Sequence, residues 1–464
     1  MEAKETRRRR SIIDIETENT GERSRLILQL MWPALGENIL ATLVSMADTI
    51  MVSALGTGAI NAVSLCTQPR FIVFSAFMAL GTGTTALVAR AKGAGNREEA
   101  NHALRQSILL ALAIILLISI AMLVWYQPLI RFIAGKNIAE STIQDAFAYF
   151  HVQIYGFPML GLTFIMNAAL RGAGNTRAAF YSNSAANIVN VIMNYLLIQG
   201  HLGFPALGVK GASIATVIGQ GVALCFCLYW LLSGRQFVTL RGMHHVRIDG
   251  DMIRRVSRIG TPALLEQVIM RVGMMLFTLI VTSLGDISYA SHNIAMNIQS
   301  MSFTTGMSFG IAATTLTGQT LGRGRPDLSR WYTRQAIRMG YVLSFLVAVI
   351  IFFLGGAIAG IYSQETQVIT LAAVVLRIIA VANPLSNTRF VYNSALRGAG
   401  DARFTAVSTF IGVALIRPAV AGLLVYVFHL DLVGVWIAMI SDTLLCYGLG
   451  KWRWHTGKWA QIQV

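Results

Sequence analysis

The sequence predicts an all-α polytopic membrane protein with twelve transmembrane helices in two pseudo-symmetric six-helix bundles, a parallel repeat. Three observations carry this. The 464 residues are 55% hydrophobic and only 12% charged, where a soluble chain would carry about a quarter charged residues. The apolar stretches are long and continuous rather than alternating, which excludes a transmembrane barrel. In lipid such stretches must be helices, because each backbone polar group has to be satisfied within its own segment. Finally, the second half of the chain repeats the first.

Residues 1–25 are polar and include Arg7, Arg8, Arg9 and Arg10. No apolar core follows directly, so this is no signal peptide; it reads as a disordered cytoplasmic tail able to touch anionic head groups. Twelve apolar runs follow near 27–50, 62–88, 107–126, 146–168, 178–199, 211–233, 259–283, 291–316, 337–359, 368–393, 404–427 and 433–450. The expected organisation is a tail (1–25), a six-helix bundle (26–233), a connecting cytoplasmic loop (234–258), a second bundle (259–450) and a tail (451–464). With the N-terminus inside, 29 of the 37 Lys and Arg fall in the tails and inner loops. The outer loops hold only Arg131, Lys136 and Lys210, and five arginines lie within spans. The positive-inside rule therefore puts both termini in the cytoplasm. The same distribution explains the net charge of +16 without nucleic-acid binding. The four cysteines lie in apolar segments and read as packing residues, and His244-His245 reads as solvated loop.

Trp32-Pro33-Ala34-Leu35-Gly36-Glu37 matches Thr261-Pro262-Ala263-Leu264-Leu265-Glu266 at an offset of 229. The match runs without a gap from Leu30 to Ser107, with 18 identities in 78 positions. Leu170-Arg171-Gly172-Ala173-Gly174 recurs as Leu396-Arg397-Gly398-Ala399-Gly400 at an offset of 226, and Pro158 and Gly208 match Pro384 and Gly434 at that same offset. Two blocks in one order at nearly one offset mean a duplication. Each half has an even number of spans, so both insert the same way, as in alternating-access transporters.

Charged groups within spans are costly and mark function by default. The acids are Glu37 and Asp48 in span 1, Glu266 in span 7 and Asp442 in span 12. Glu37 and Asp48 are eleven residues apart, so they point the same way roughly 16 Å apart along the axis. Glu37 and Glu266 are repeat twins, whereas the twin of Asp48 is Phe277, so the halves should act asymmetrically. Arg271 is expected as an ion-pair partner for Glu266. Asp442 reads as held by an arginine or reaching the interface. Asn187, Asn190 and Asn194 form a polar stripe on span 5, as an ion-linked network with Asp48 or as helix–helix glue. Span 10 adds Asn387 and Arg389. Met270, Met274, Met275, Met296, Met301 and Met307 give spans 7 and 8 soft apolar surface. Glu266 on that surface suits a hydrophobic cation. No nucleotide loop, nucleophile elbow or metal-type histidine pair occurs, so no enzyme, cofactor or resident metal is expected, and transport must draw on an ion gradient.

These residues resemble the multidrug and toxic compound extrusion (MATE) family. The resemblance rests on Met46-Ala47-Asp48-Thr49-Ile50-Met51 with Leu55-Gly56, on the duplicated Leu-Arg-Gly-Ala-Gly motif, and on Asn190-x-x-x-Asn194. It implies efflux of small organic cations and drugs in exchange for H⁺ or Na⁺, by a multi-pass protein of the inner membrane that works as a monomer among lipid. It maps the family's span-1 acid onto Asp48 and its span-5 pair onto Asn190 and Asn194. Glu266 resembles the span-7 acid of NorM-type sodium members, but their span-10 Asp is missing here, which leaves protons as well as Na⁺ near Asp48 or Glu266. The competing reading is a lipid-linked precursor flippase, with Arg271, Arg389 and Arg417 binding pyrophosphate.

Overall fold

A computed structural model describes residues 19–135, 138–241 and 247–462. The Arg7–Arg10 run, Lys136, His244 and His245 lie outside the described residues, as does the side chain of Met301. Twelve long helices follow one another, and no strand occurs among the described residues. They are α1 Thr20–Ser53, α2 Thr57–Gly93, α3 Arg97–Ala134, α4 Glu140–Gly172, α5 Thr176–Ile198, α6 Gly208–Leu232, α7 Gly250–Thr282, α8 Asp286–Gly322, α9 Pro326–Tyr362, α10 Thr366–Gly398, α11 Ala402–Val427 and α12 Asp431–Thr456. Each expected span has its helix. Ten are apolar enough throughout to cross a membrane by composition alone; α5 and α8 are the exceptions, because asparagines and hydroxyl residues interrupt them. The lipid-facing character is plainest on α3 and α9, where Leu116, Leu117 and Val124 and their repeat twins Phe345, Leu346 and Phe353 are all exposed.

The helices form two compact units. One comprises Pro33–Leu264; the other runs from Leu265 onward and takes in the described chain up to Trp32. The boundaries thus fall inside α1 and α7, within three residues of the repeat prolines Pro33 and Pro262. Each proline removes a backbone donor within its helix.

The duplicated motif forms the turns from α4 to α5 and from α10 to α11. Asn175 N–H bonds the Leu170 carbonyl and Asp401 N–H the Leu396 carbonyl, both at 2.8 Å. Gly174 (φ 76°) and Gly400 (φ 92°) supply the left-handed residue that closes such a helix end. Asn175 then caps α5 by accepting from Ala178 N–H at 3.1 Å. Gly172 and Gly398 are needed for packing: a Cβ on either would run into the backbone of Thr85 or its twin Thr314. Those threonines bond across the same contact, Thr85 to the Ala168 carbonyl at 3.0 Å and Thr314 to the Ser394 carbonyl at 2.8 Å.

The segment leading into α7 is fixed to the start of α3. Gln106 donates to the Arg247 carbonyl at 2.7 Å, and His102 Nε2 lies 2.8 Å from Asp249. That contact with His102 and the N–H groups of Met252 and Asp251 hold the Asp249 carboxyl below its ordinary range.

Candidate functional site

Three of the four intramembrane acids are ion-paired. Glu37 accepts from Arg171 at 2.7 Å and from Asn183 at 2.6 Å. Its twin Glu266, 4% exposed, takes Arg397 at 3.1 Å, with Thr405 and Thr409 each donating at 3.2 Å. Arg171 and Arg397 are twins in the duplicated motif, and Asn183 and Thr409 are twins at the same offset of 226. One acid–arginine–polar group therefore occurs once in each unit, bracing α1 against α4 and α5 and α7 against α10 and α11. The expected partner of Glu266, Arg271, is replaced by Arg397: Arg271 is an exposed residue on the helix of Glu266 itself, whereas Arg397 reaches the acid from α10. Asp442 does not reach the interface. It is fully buried and held by Arg417 at 2.9 and 3.2 Å and by Arg389 at 3.2 Å.

Asp48 differs. Its Oδ1 accepts from Asn194 Nδ2 at 2.6 Å. With its amide nitrogen toward the acid, Asn190 donates to both Asp48 oxygens at 3.1 and 3.2 Å while its oxygen accepts from Thr216 N–H at 3.2 Å. Arg70 lies in electrostatic range, but among the described residues no cation stands within ion-pair distance of Asp48. Asn194 is buried, and among the described residues its Oδ1 has no hydrogen-bond partner. The bonds Glu37–Asn183 and Asp48–Asn194 span the same separation of 146 residues. Helices α1 and α5 therefore run in the same direction in register, and Asp48 faces α5 along their length.

The remaining candidates make the following contacts. Asn387 donates to the Gly340 carbonyl at 3.0 Å. Arg389 belongs to the Asp442 group. Met274 accepts from Arg417 through sulfur at 3.4 Å, and Met275 and Met307 face outward. Sequence reasoning did not join Arg171, Arg397 and Asn183 to the acids, although motif and acid are duplicated at nearly one offset, which is the signal that joins them.

The family model MatE matches residues 33–196 and again 262–423. The chain belongs to the MatE family. The double match falls on the two sequence repeats. A "Probable multidrug resistance protein NorM" of Thermotoga maritima is 29% identical over 451 residues, covering 96% of this chain and 95% of that one. A "Multidrug resistance protein MdtK" of Edwardsiella ictaluri is 27% identical over 395 residues, covering 84% of each. Among solved structures, the outward-facing conformation of a multidrug resistance MATE family transporter of the MOP superfamily superposes with a TM-score of 0.86 at 23% identity, covering 94% of this chain and 96% of that one; it has the same fold.

Proposed function

We propose that this chain is a secondary multidrug exporter that releases organic, mostly cationic compounds in exchange for H⁺ or Na⁺, with Asp48 as the coupling carboxylate. The observation that carries the reading is the contrast among the acids. Glu37, Glu266 and Asp442 are neutralised by arginines, whereas Asp48 is held by amides. Amide donors stabilise the anion without cancelling its charge. An incoming proton or Na⁺ therefore finds a negative oxygen, together with the spare acceptor on Asn194. Driving export requires that the ion bind the two transport states unequally. Breaking the Asp48–Asn194–Asn190 contacts along the α1–α5 seam is the element through which binding acts. Glu266, charge-matched by Arg397, is the weaker place for a sodium ion or a cationic drug.

The reading places the protein in the cytoplasmic membrane, both termini inside, as a monomer, and keeps the division at 234–258 as the junction of the halves. The flippase alternative loses ground, because the relatives are named multidrug resistance proteins. The test is dye efflux from proteoliposomes under an imposed pH or Na⁺ gradient. Asp48→Asn should insert normally and lose gradient-driven export down to the level of empty vesicles. Wild-type export by that variant overturns the assignment, and the gradient that works identifies the ion.

A further inference from the structure

The repeat allows the Asp48 site to be compared with its own duplicate. At offset 229 the twin of Asp48 is Phe277; at offset 226 the twins of Thr163, Val191 and Thr216 are Arg389, Arg417 and Asp442. Val191 adjoins Asn190, and Thr216 is the residue whose N–H fixes the Asn190 amide. The first site thus holds one acid among neutral groups. Its duplicate holds Phe277 beneath the Arg417 guanidinium, 5.6 Å from the ring centroid, with two arginines on one acid. Two arginines on one acid leave this buried group with one positive charge in excess. A lone charge at membrane depth is costly, and such a cluster is stable when a counter-charge joins it.

The donors needed for that counter-charge are present. Arg417 spends Nε and Nη2 on Asp442 and Nη1 on Met274. Arg389 gives Asp442 a single N–H, from Nη1 at 3.2 Å, of the five that a guanidinium has. Its side chain retains 13% exposure, and among the described residues no other partner takes its remaining N–H groups. The Cys446 thiol, one helical turn beyond Asp442, donates to the Ser408 carbonyl at 3.3 Å, which sets Ser408 beside this group. Ser408 is 2% exposed, and among the described residues its Oγ has no hydrogen-bond partner.

We propose that Arg389, with Ser408 beside it, forms an anion site in the C-terminal unit that takes a carboxylate, including the carboxylate of a zwitterionic transport substrate. A planar guanidinium fits a carboxylate through two parallel N–H···O bonds, and the Ser408 hydroxyl supplies a third donor. The duplicated scaffold then carries a cation site in one unit and an anion site in the other. The transport arm of this proposal rests on the efflux reading; the binding arm does not.

The test uses benzoate as the binding probe and a rhodamine in two forms, the free carboxylic acid and its ethyl ester, as transported dyes. Arg389→Gln leaves Asp442 doubly bonded to Arg417, so the fold is retained. Loss of a charge-assisted pair should weaken benzoate binding to the purified protein about ten-fold or more. Export of the acid should fall in parallel, with export of the ester unchanged, and Arg389→Lys should recover part of both acid readouts. Equal benzoate affinity in Arg389→Gln, or equal loss of acid and ester export, overturns the proposal. So does loss of benzoate binding in nanodiscs containing phosphatidylglycerol, which would assign the site to a lipid phosphate. If wild-type vesicles export neither dye, the efflux reading fails, while benzoate binding still decides the anion site.

Discussion

Whether a membrane carboxylate works or merely holds depends on who shares its charge. Spacing along span 5 put Asn190 and Asn194 on one stripe, and the family resemblance joined that stripe to Asp48 on another helix. Glu266 was harder to read. Its twin Glu37 and the flanking methionines suggested a bare charge on a soft wall, but Arg397 arrives from 131 residues away and cancels it. A local window cannot see such a partner. Only the paired duplication of acid and motif could have shown it. The correction changes what Glu266→Gln should do. Removing one member of a buried ion pair leaves the other charge unmatched, at a cost of about 3–5 kcal/mol. Lower abundance and a lower unfolding temperature in detergent are expected. Apolar replacement of both Glu266 and Arg397 should restore most of the loss, and Arg271→Gln should restore none. Normal stability of Glu266→Gln would mean that the pair does not hold α7 to α10.

At the scale of elements, apolar run length located all twelve helices, including α5 and α8, whose polar faces defeat a simple hydropathy threshold. On α5 Ser182, Asn190 and Asn194 are buried, and on α8 Ser291, Ser302, Thr305 and Ser308 are buried, whereas Asn293, Asn297 and Ser300 of α8 are exposed. What run length could not reveal is local departure from the α form. Helix α11 has π-helical stretches at Phe410–Ile416 and Leu423–Val427. Between them lies Pro418, which offers no N–H to the preceding turn, next to the Arg417 that binds Asp442. Close packing of the duplicated turns was equally hidden, since a glycine at a helix end reads only as a stop signal. Gly398→Ala tests it. The methyl has to displace the Thr314 backbone rather than a flexible side chain; overpacking of this kind costs about 1–3 kcal/mol. The variant should unfold at lower temperature, and so should Gly172→Ala. Gly448→Ala, where the added carbon meets nothing, should not.

Over the whole molecule, the duplication was the most legible feature, since it needs only self-comparison and the family model matches each copy. The sequence repeats and the packed units are nevertheless cut at different places. Arg23 lies over Trp331 at 5.3 Å, and Gln335 donates to Ser24 at 3.3 Å, so the start of α1 packs with the later half of the chain. Conversely Arg255 of α7 pairs with Glu99 at 2.8 Å, and Val256 sits against Gly83, so the start of α7 packs with the earlier half. Each half of the sequence lends its opening segment to the other's unit. A chain severed within residues 242–246 should therefore behave as two obligate partners. Either fragment alone should be degraded, and co-expression should restore both, as seen by co-purification through a tag on one of them. Stable accumulation of a lone fragment would contradict this. The interleaving also bears on how such a protein could arise. A half-length ancestor could not complete its own bundle, and a second copy exchanging the same leading segment would have completed both. In that light the fusion of two halves made permanent a swap that free subunits had to find by collision.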